Sequence, residues 1–203
     1  PKWLLDSKQE LYNAIRRPEF HAQIVDYLKT TAPGYPKTLE EMIERANALT
    51  TVRPDGAAPN PGRWALFKLE AGSGTLDDYR YTSVRDHGLP LVRAAVEGML
   101  AAQRLDAIVY PTSSRRPGLI AETGAAGGGT PSATDIANLT GFPDLIVPAG
   151  FTGDSLPVGI SFFGPAFSEP KLLALGYSFE QATRARRRPV HAPSLAGEAI
   201  TIP

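Results

Sequence analysis

The stretch from Leu105 to Gly164 constrains the fold more than any other part of the chain. It contains three short apolar runs, Ala107 to Tyr110, Leu145 to Val147 and Val158 to Phe163, each fenced by Pro or Gly. Runs of this length between obligatory turns are the pattern of buried strands. Between the first two runs lies one short helical segment. Thr130, Pro131 and Ser132 mark its start, with Asp135 placed three residues after Ser132 as in a capping box, and Gly141 followed by Pro143 marks its stop. Strand, helix, strand in that order makes a crossover unit, so the expected class is α/β, a mixed β-sheet covered by helices.

The flanking segments supply the helices. Lys8 to Ile15 and Pro18 to Leu28 read as two helices, the second with Phe20, Ile24 and Leu28 at four-residue spacing. Thr38 stands three residues before Glu41, which opens a third helix with a stripe of Leu39, Met42, Ile43 and Ala46. Five Pro and Gly breakers between Thr50 and Trp64 read as a loop. Thr75 to His87 and Pro90 to Leu105 read as a helical pair, with Val92, Ala95, Val96 and Met99 on the inner face of the second. Ser168 is placed to cap a last helix in which Leu172, Leu175, Gly176 and Phe179 face inward, and Arg184, Arg186, Arg187 and Arg188 suit its negative end. The organisation expected is therefore a helical lead-in over residues 1–49, a loop over 50–74, a helix and strand core over 75–188, and a tail over 189–203.

Composition removes several function classes. Lys and Arg number 21 and so do Asp and Glu, so no electrostatic footprint points to nucleic acid or to an anionic membrane surface. Cysteine is absent, which excludes a disulfide framework, a thiolate nucleophile and a Cys-ligated metal. No apolar run approaches the roughly 20 residues of a membrane span. The first residue is Pro1 rather than Met, and the expectation is a numbering that begins inside a longer polypeptide or after processing.

Candidate chemistry is sparse. Ser113 and Ser114, in PTSSRRPG, follow a strand end, and Arg115 or Arg116 there would stabilise developing charge; a solvated loop accounts for the same run. The histidines are His21, His87 and His191, and no GxSxG elbow accompanies them, so core or surface roles are expected. The Gly-rich segment from Gly124 to Ser132 leads into a helix start without the Lys of a phosphate loop, and reads as a link or cleft rim. Asp135, Asp144 and Asp154 lack the pairing of a dyad or metal site and read as caps and turns. Ligands gather outside the carboxyl ends of strands in α/β sheets. The expected cleft contributors are therefore Tyr110, Thr112, Ser113 and Ser132.

The blocks LDAIVYPT, ANLTGFPDLIVPAGF and LPVGISFFGPAFSEPKLLALGYSFEQATRAR, with PEFHAQIVDYLKTTAPGYPKTLEEMIERANA upstream, resemble the C-terminal part of the amidase signature family, and above all its bacterial peptide amidases. The resemblance covers the chain from about Phe20 to about Arg187. It implies hydrolysis of a linear carboxamide, with a peptide C-terminal amide in view, through an acyl-enzyme, by a Ser nucleophile, a second Ser in a cis peptide and a Lys, without metal or cofactor. In the family those three residues lie in a Gly/Ser-rich signature in the N-terminal half of the domain. Ser113 and Ser114 lack its flanking glycine pairs, so no catalytic residue is assigned in this chain. The expected partners are a small amide or peptide-amide substrate and the N-terminal catalytic portion of the same protein. Strand edges and helix faces left bare would otherwise favour a homodimer, and Val158 to Phe163 is expected to be one such edge. A truncated, non-catalytic binding or structural module is the alternative. A cytoplasmic location is favoured, or a periplasmic or secreted one after removal of a signal.

Overall fold

A computed structural model describes residues 1–49, 61–113, 134–153 and 155–188. It shows seven α-helices and three strands among them: α1 Lys2–Lys29, α2 Leu39–Leu49, α3 Pro61–Ala71, α4 Tyr79–Ser83, α5 Leu89–Ala102, β1 Ile108–Pro111, α6 Asp135–Thr140, β2 Asp144–Phe151, β3 Pro157–Phe163 and α7 Glu169–Thr183. None of these helices is long and apolar enough to cross a membrane.

The three apolar runs form one sheet in the order β1, β3, β2. Both pairings are antiparallel, so β1 and β2 run parallel to each other, as the crossover through α6 requires, with β3 inserted between them. The last strand is therefore the central one. The edge expected at Val158 to Phe163 is instead paired on both sides, and the open edges belong to β1 and β2. β2 runs past Val147 to Phe151 through a register shift between Pro148 and Gly150, a bulge that lets Pro148 sit within the strand.

Alternation along β3 sends its two phenylalanines to opposite faces. Phe163, opposite Ile108 and Asp144, joins the core of Leu4, Val92, Val96, Leu100, Leu139 and Phe142, where α1, α5 and α6 meet the sheet. Phe162 faces α7, edge-on to Phe179 at 5.8 Å. Gly176 lets α7 approach: a Cβ there would lie 2.5 Å from Leu145 Cδ2 and 3.3 Å from Val147 Cγ1. Leu172 is buried beside it, whereas Leu175 is 37% exposed and so departs from the expected inner face. Ser168 starts α7 through its carbonyl, which accepts from Leu172 N, but its hydroxyl donates to Pro165 O at 2.6 Å and makes no cap bond. Helix α7 ends at Thr183, with Arg184 left-handed at φ 45°, so the arginine run lies beyond the helix rather than in it. Arg187 sits over the Phe151 ring at 4.9 Å.

Three helical expectations are corrected. Residues 2–29 form one helix, not two, and Pro18 lies buried inside it. An internal Pro removes a bond and crowds the carbonyl of Ala14, at a cost of about 3 kcal/mol. Burial of Leu4, Ala14, Pro18 and Leu28 along both halves offsets it. The loop expected over 50–74 contains α3 from Pro61, a residue suited to a first helical turn. Its Phe67 stacks on Phe20 of α1 at 5.8 Å and meets Trp64 edge-on at 5.5 Å. The break expected between His87 and Pro90 is instead a π turn over Val84–Gly88, with Leu89 N–H donating to Val84 O. The widened turn shifts the carbonyls that Pro90 would otherwise meet, so the chain passes from α4 to α5 without stopping.

Other local signals hold. Thr38 Oγ1 accepts from Glu41 N–H at 3.1 Å, and Glu41 Oε2 reaches back to Lys37 N–H at 2.7 Å, one residue earlier than a standard capping box. Gly141 stops α6 in the left-handed region at φ 68°, where a side chain would be strained. Asp135 at the start of α6 is buried and pairs with Lys8 of α1 at 3.4 Å rather than lying in a solvated cap. Ser132, Asp154 and the tail lie outside the described residues. Arg16 of α1 binds the fully buried Glu70 of α3, and Tyr81 of α4 donates to Glu19 at 2.9 Å, so α1 is the post to which the helical layer is tied.

Two glycines test this packing in opposite directions. Gly176→Ala is expected to lower stability by about 1–3 kcal/mol, as overpacking does. Gly98→Ala, in open space on α5, is expected to raise it by about 0.5–1 kcal/mol. Urea unfolding of both variants measures the contrast, and equal effects would contradict the close approach of α7.

Candidate active-site wall

The registers of the two pairings place Tyr110, Ser161 and Ile146 side by side on one face of the sheet. Thr112 continues β1 by donating its N–H to Gly159 O at 3.1 Å, so its side chain falls on the same face. The result is a polar row across the carboxyl end of β1. Tyr110 donates its hydroxyl to Asp144 Oδ2 at 2.5 Å, spanning β3 to reach β2, and Thr112 Oγ1 lies 2.9 Å from Ser161 Oγ. Ser161 is fully buried, while Ile146 is 51% exposed, so the cover that α5 and α6 give this face ends at the row. An open depression of about 530 Å³ adjoins it between α6 and β2, lined by Thr134, Asn138, Gly141, Asp144 and Ile146.

Electrostatics fixes what the row can do. Burial first, and then the bond to Asp144 and its charge, push the Tyr110 phenol well above its ordinary value; the Ser161 hydroxyl acts weakly in the other sense. Tyr110 therefore stays protonated at neutral pH and serves as a donor. Asp144 Oδ1 is buried with no hydrogen-bond partner among the described residues, so the Tyr110 hydroxyl carries the solvation of that carboxyl group. Neither residue is arranged as a nucleophile and base. Ser161 is closed off from solvent, and Ser113 stands exposed just past β1. His21 pairs with Glu40 of α2 at 3.3 Å, and His87 lies exposed in the π turn. Among the described residues no group of three His, Asp or Glu is placed to hold a metal ion.

Of the cleft residues expected from sequence, Tyr110 and Thr112 come together in the row, Ser113 follows at its exposed end, and Ser132, with Ser114 to Thr130, lies outside the described residues. Asp144 and Ser161 were not anticipated as part of the site. Their signal is in the sequence all the same: each is the polar residue of an otherwise apolar run, PDLIV and GISFF. Two-residue alternation puts both on the face of Tyr110 once the register is known.

The Amidase family model matches residues 18–173. The chain belongs to the amidase family. It is similar to the peptide amidase of Stenotrophomonas maltophilia, with a TM-score of 0.68 and 30% identity over 90% of this chain and 35% of that one. The putative amidase AmiA2 of Mycobacterium tuberculosis is 37% identical over 143 residues, covering 61% of this chain and 30% of the relative. An amidase family protein of Bacillus anthracis, at 22% identity and a TM-score of 0.61 over 84% of this chain and 29% of that one, shares the fold. The chain thus spans about a third of the length of the solved peptide amidase.

Removing the Tyr110 hydroxyl leaves Asp144 with no donor among the described residues, so Tyr110→Phe is expected to lower stability by about 1–3 kcal/mol. Because the folded phenol is raised, its bond contributes in full below the ordinary tyrosine value near pH ~10 and is lost as pH rises toward the folded value. Thermal melts from pH 8 to 11 should fall more steeply for the unchanged chain than for the Phe variant; parallel curves would contradict the assignment.

Proposed function

We propose that this chain is the C-terminal part of an amidohydrolase that converts a carboxamide and water to a carboxylate and ammonia. The observation that carries the reading is the family match over residues 18–173, joined to a polar, half-covered wall at a strand end. In this reading the bond is broken through a serine acyl-enzyme. The nucleophilic Ser, the cis Ser and the Lys lie in sequence outside these 203 residues. Two features support that placement. The chain corresponds to about a third of the solved peptide amidase, and the described residues offer hydroxyls and carboxylates tied to one another rather than a nucleophile facing a base.

The substrate proposed is a peptide C-terminal amide, by likeness to that peptide amidase, to which the chain is 30% identical. Tyr110, Thr112 and Ser113 form one wall of the cleft. The wall positions the amide and excludes water; the charge that develops on the carbonyl oxygen is met by donors elsewhere in the complete enzyme. Substitution of Thr112 should therefore raise KM more than it lowers kcat.

Ammonia release from a peptide amide is the test. The 21.8 kDa chain by itself is expected to be inactive, and activity is expected in a longer polypeptide that contains it. Ammonia release by the isolated chain, abolished by Ser113→Ala, would overturn the proposal.

A further inference from the structure

Arg16 and Arg17 are neighbours on α1 and leave the helix about 100° apart, so they serve different surroundings. Arg16 is neutralised by Glu70. Arg17 is not: its Nε is buried, and no described residue accepts a hydrogen bond from it. It lines a cavity of about 480 Å³ between α1, the end of α3 and α4, together with Asn13, Ser73, Asp78 and Arg80. Asp78, the one carboxylate on that wall among the described residues, holds the preceding turn, where its Oδ2 accepts from Thr75 N–H at 2.8 Å. Ser73 likewise gives its hydroxyl to Glu70 O at 2.6 Å. Arg80, the other guanidinium on the wall, is paired with Glu10 at 3.2 Å, so Arg17 is the cation there that has no ion pair among the described residues, and Asn13, one turn before it, adds an amide donor.

A part-buried guanidinium without an acceptor is unfavourable, and the group that relieves it best is planar, anionic and two-oxygened, matching the fork of Arg. We propose that this cavity binds a small carboxylate, held by Arg17 with Asn13 as second donor. A singly charged ligand fits better than a phosphate dianion, because Asp78 on the same wall repels the additional charge. Amide hydrolysis yields a carboxylate, so the ligand is of the product's class; that connection alone rests on the function proposed above. The residues involved belong to α1, α3, α4 and the turn between the last two, none of which contributes to the polar row on the sheet.

The test is titration of the 203-residue chain with sodium acetate at constant ionic strength, followed by the Arg17 Nε–H resonance and the amides of Gly72 and Ser73. A saturable shift is expected with acetate and none with acetamide. Arg17→Gln should weaken acetate binding by about tenfold, the loss of a charge-assisted contact. Should that variant fail to fold, Asn13→Asp places a carboxylate one turn from Arg17 and should abolish acetate binding by occupying the fork from within. Binding unchanged in a folded variant, or the same shifts with chloride or acetamide, would overturn the site. Because the readout is binding, acetate bound by a chain whose longer form hydrolyses no amide would refute the proposed function and leave this site standing.

Discussion

The alternation of β3 is the constraint on which the rest of the structure depends. A strand inserted between two parallel neighbours must satisfy hydrogen bonds on both edges and apolar contacts on both faces at once. Here Phe163 closes the core of α1, α5 and α6, and Phe162 receives α7. Ser161, next in line on the Phe163 face, then falls where Tyr110 reaches across to Asp144. A slip of one residue would exchange the two phenylalanines, expose one core and bury the other's polar neighbour. Register thus decides the core and the cleft wall together.

The helical layer depends on a different kind of contact. Arg16 with Glu70 and Lys8 with Asp135 are charged pairs in which the acid is buried, and they join α1 to α3 and α6. Such pairs add little net stability, but removing one partner strands the other charge, typically at about 3–5 kcal/mol. They fix which faces of the helices meet. Arg17, one position from Arg16, escapes this neutralisation and is for that reason the group that can answer to a ligand.

How much of this was legible in the sequence follows from the range of the forces involved. Strands fenced by Pro and Gly, the Thr38 cap and the Gly141 stop are local devices, and each appears where the residues indicate. Pro18, Pro90 and the segment from Pro61 misled for one reason: a breaker is a local penalty, and distant packing outweighed it, by the buried face of α1, the π turn and the aromatic contacts of α3. The site divides the same way. Tyr110 and Thr112 were readable from their place at a strand end, whereas Asp144 and Ser161 needed the strand order. Sequence order suggests β1 beside β2, and only long-range pairing puts β3 between them.

Backbone proximity at Ser161 tests that arrangement most directly. In a nuclear Overhauser experiment on the folded chain, Ser161 should show cross-strand contacts to both Tyr110 and Ile146, the residues opposite it in β1 and β2. Contacts running instead from Tyr110 straight to Ile146, with Ser161 at a sheet edge, would contradict the strand order and, with it, the polar row.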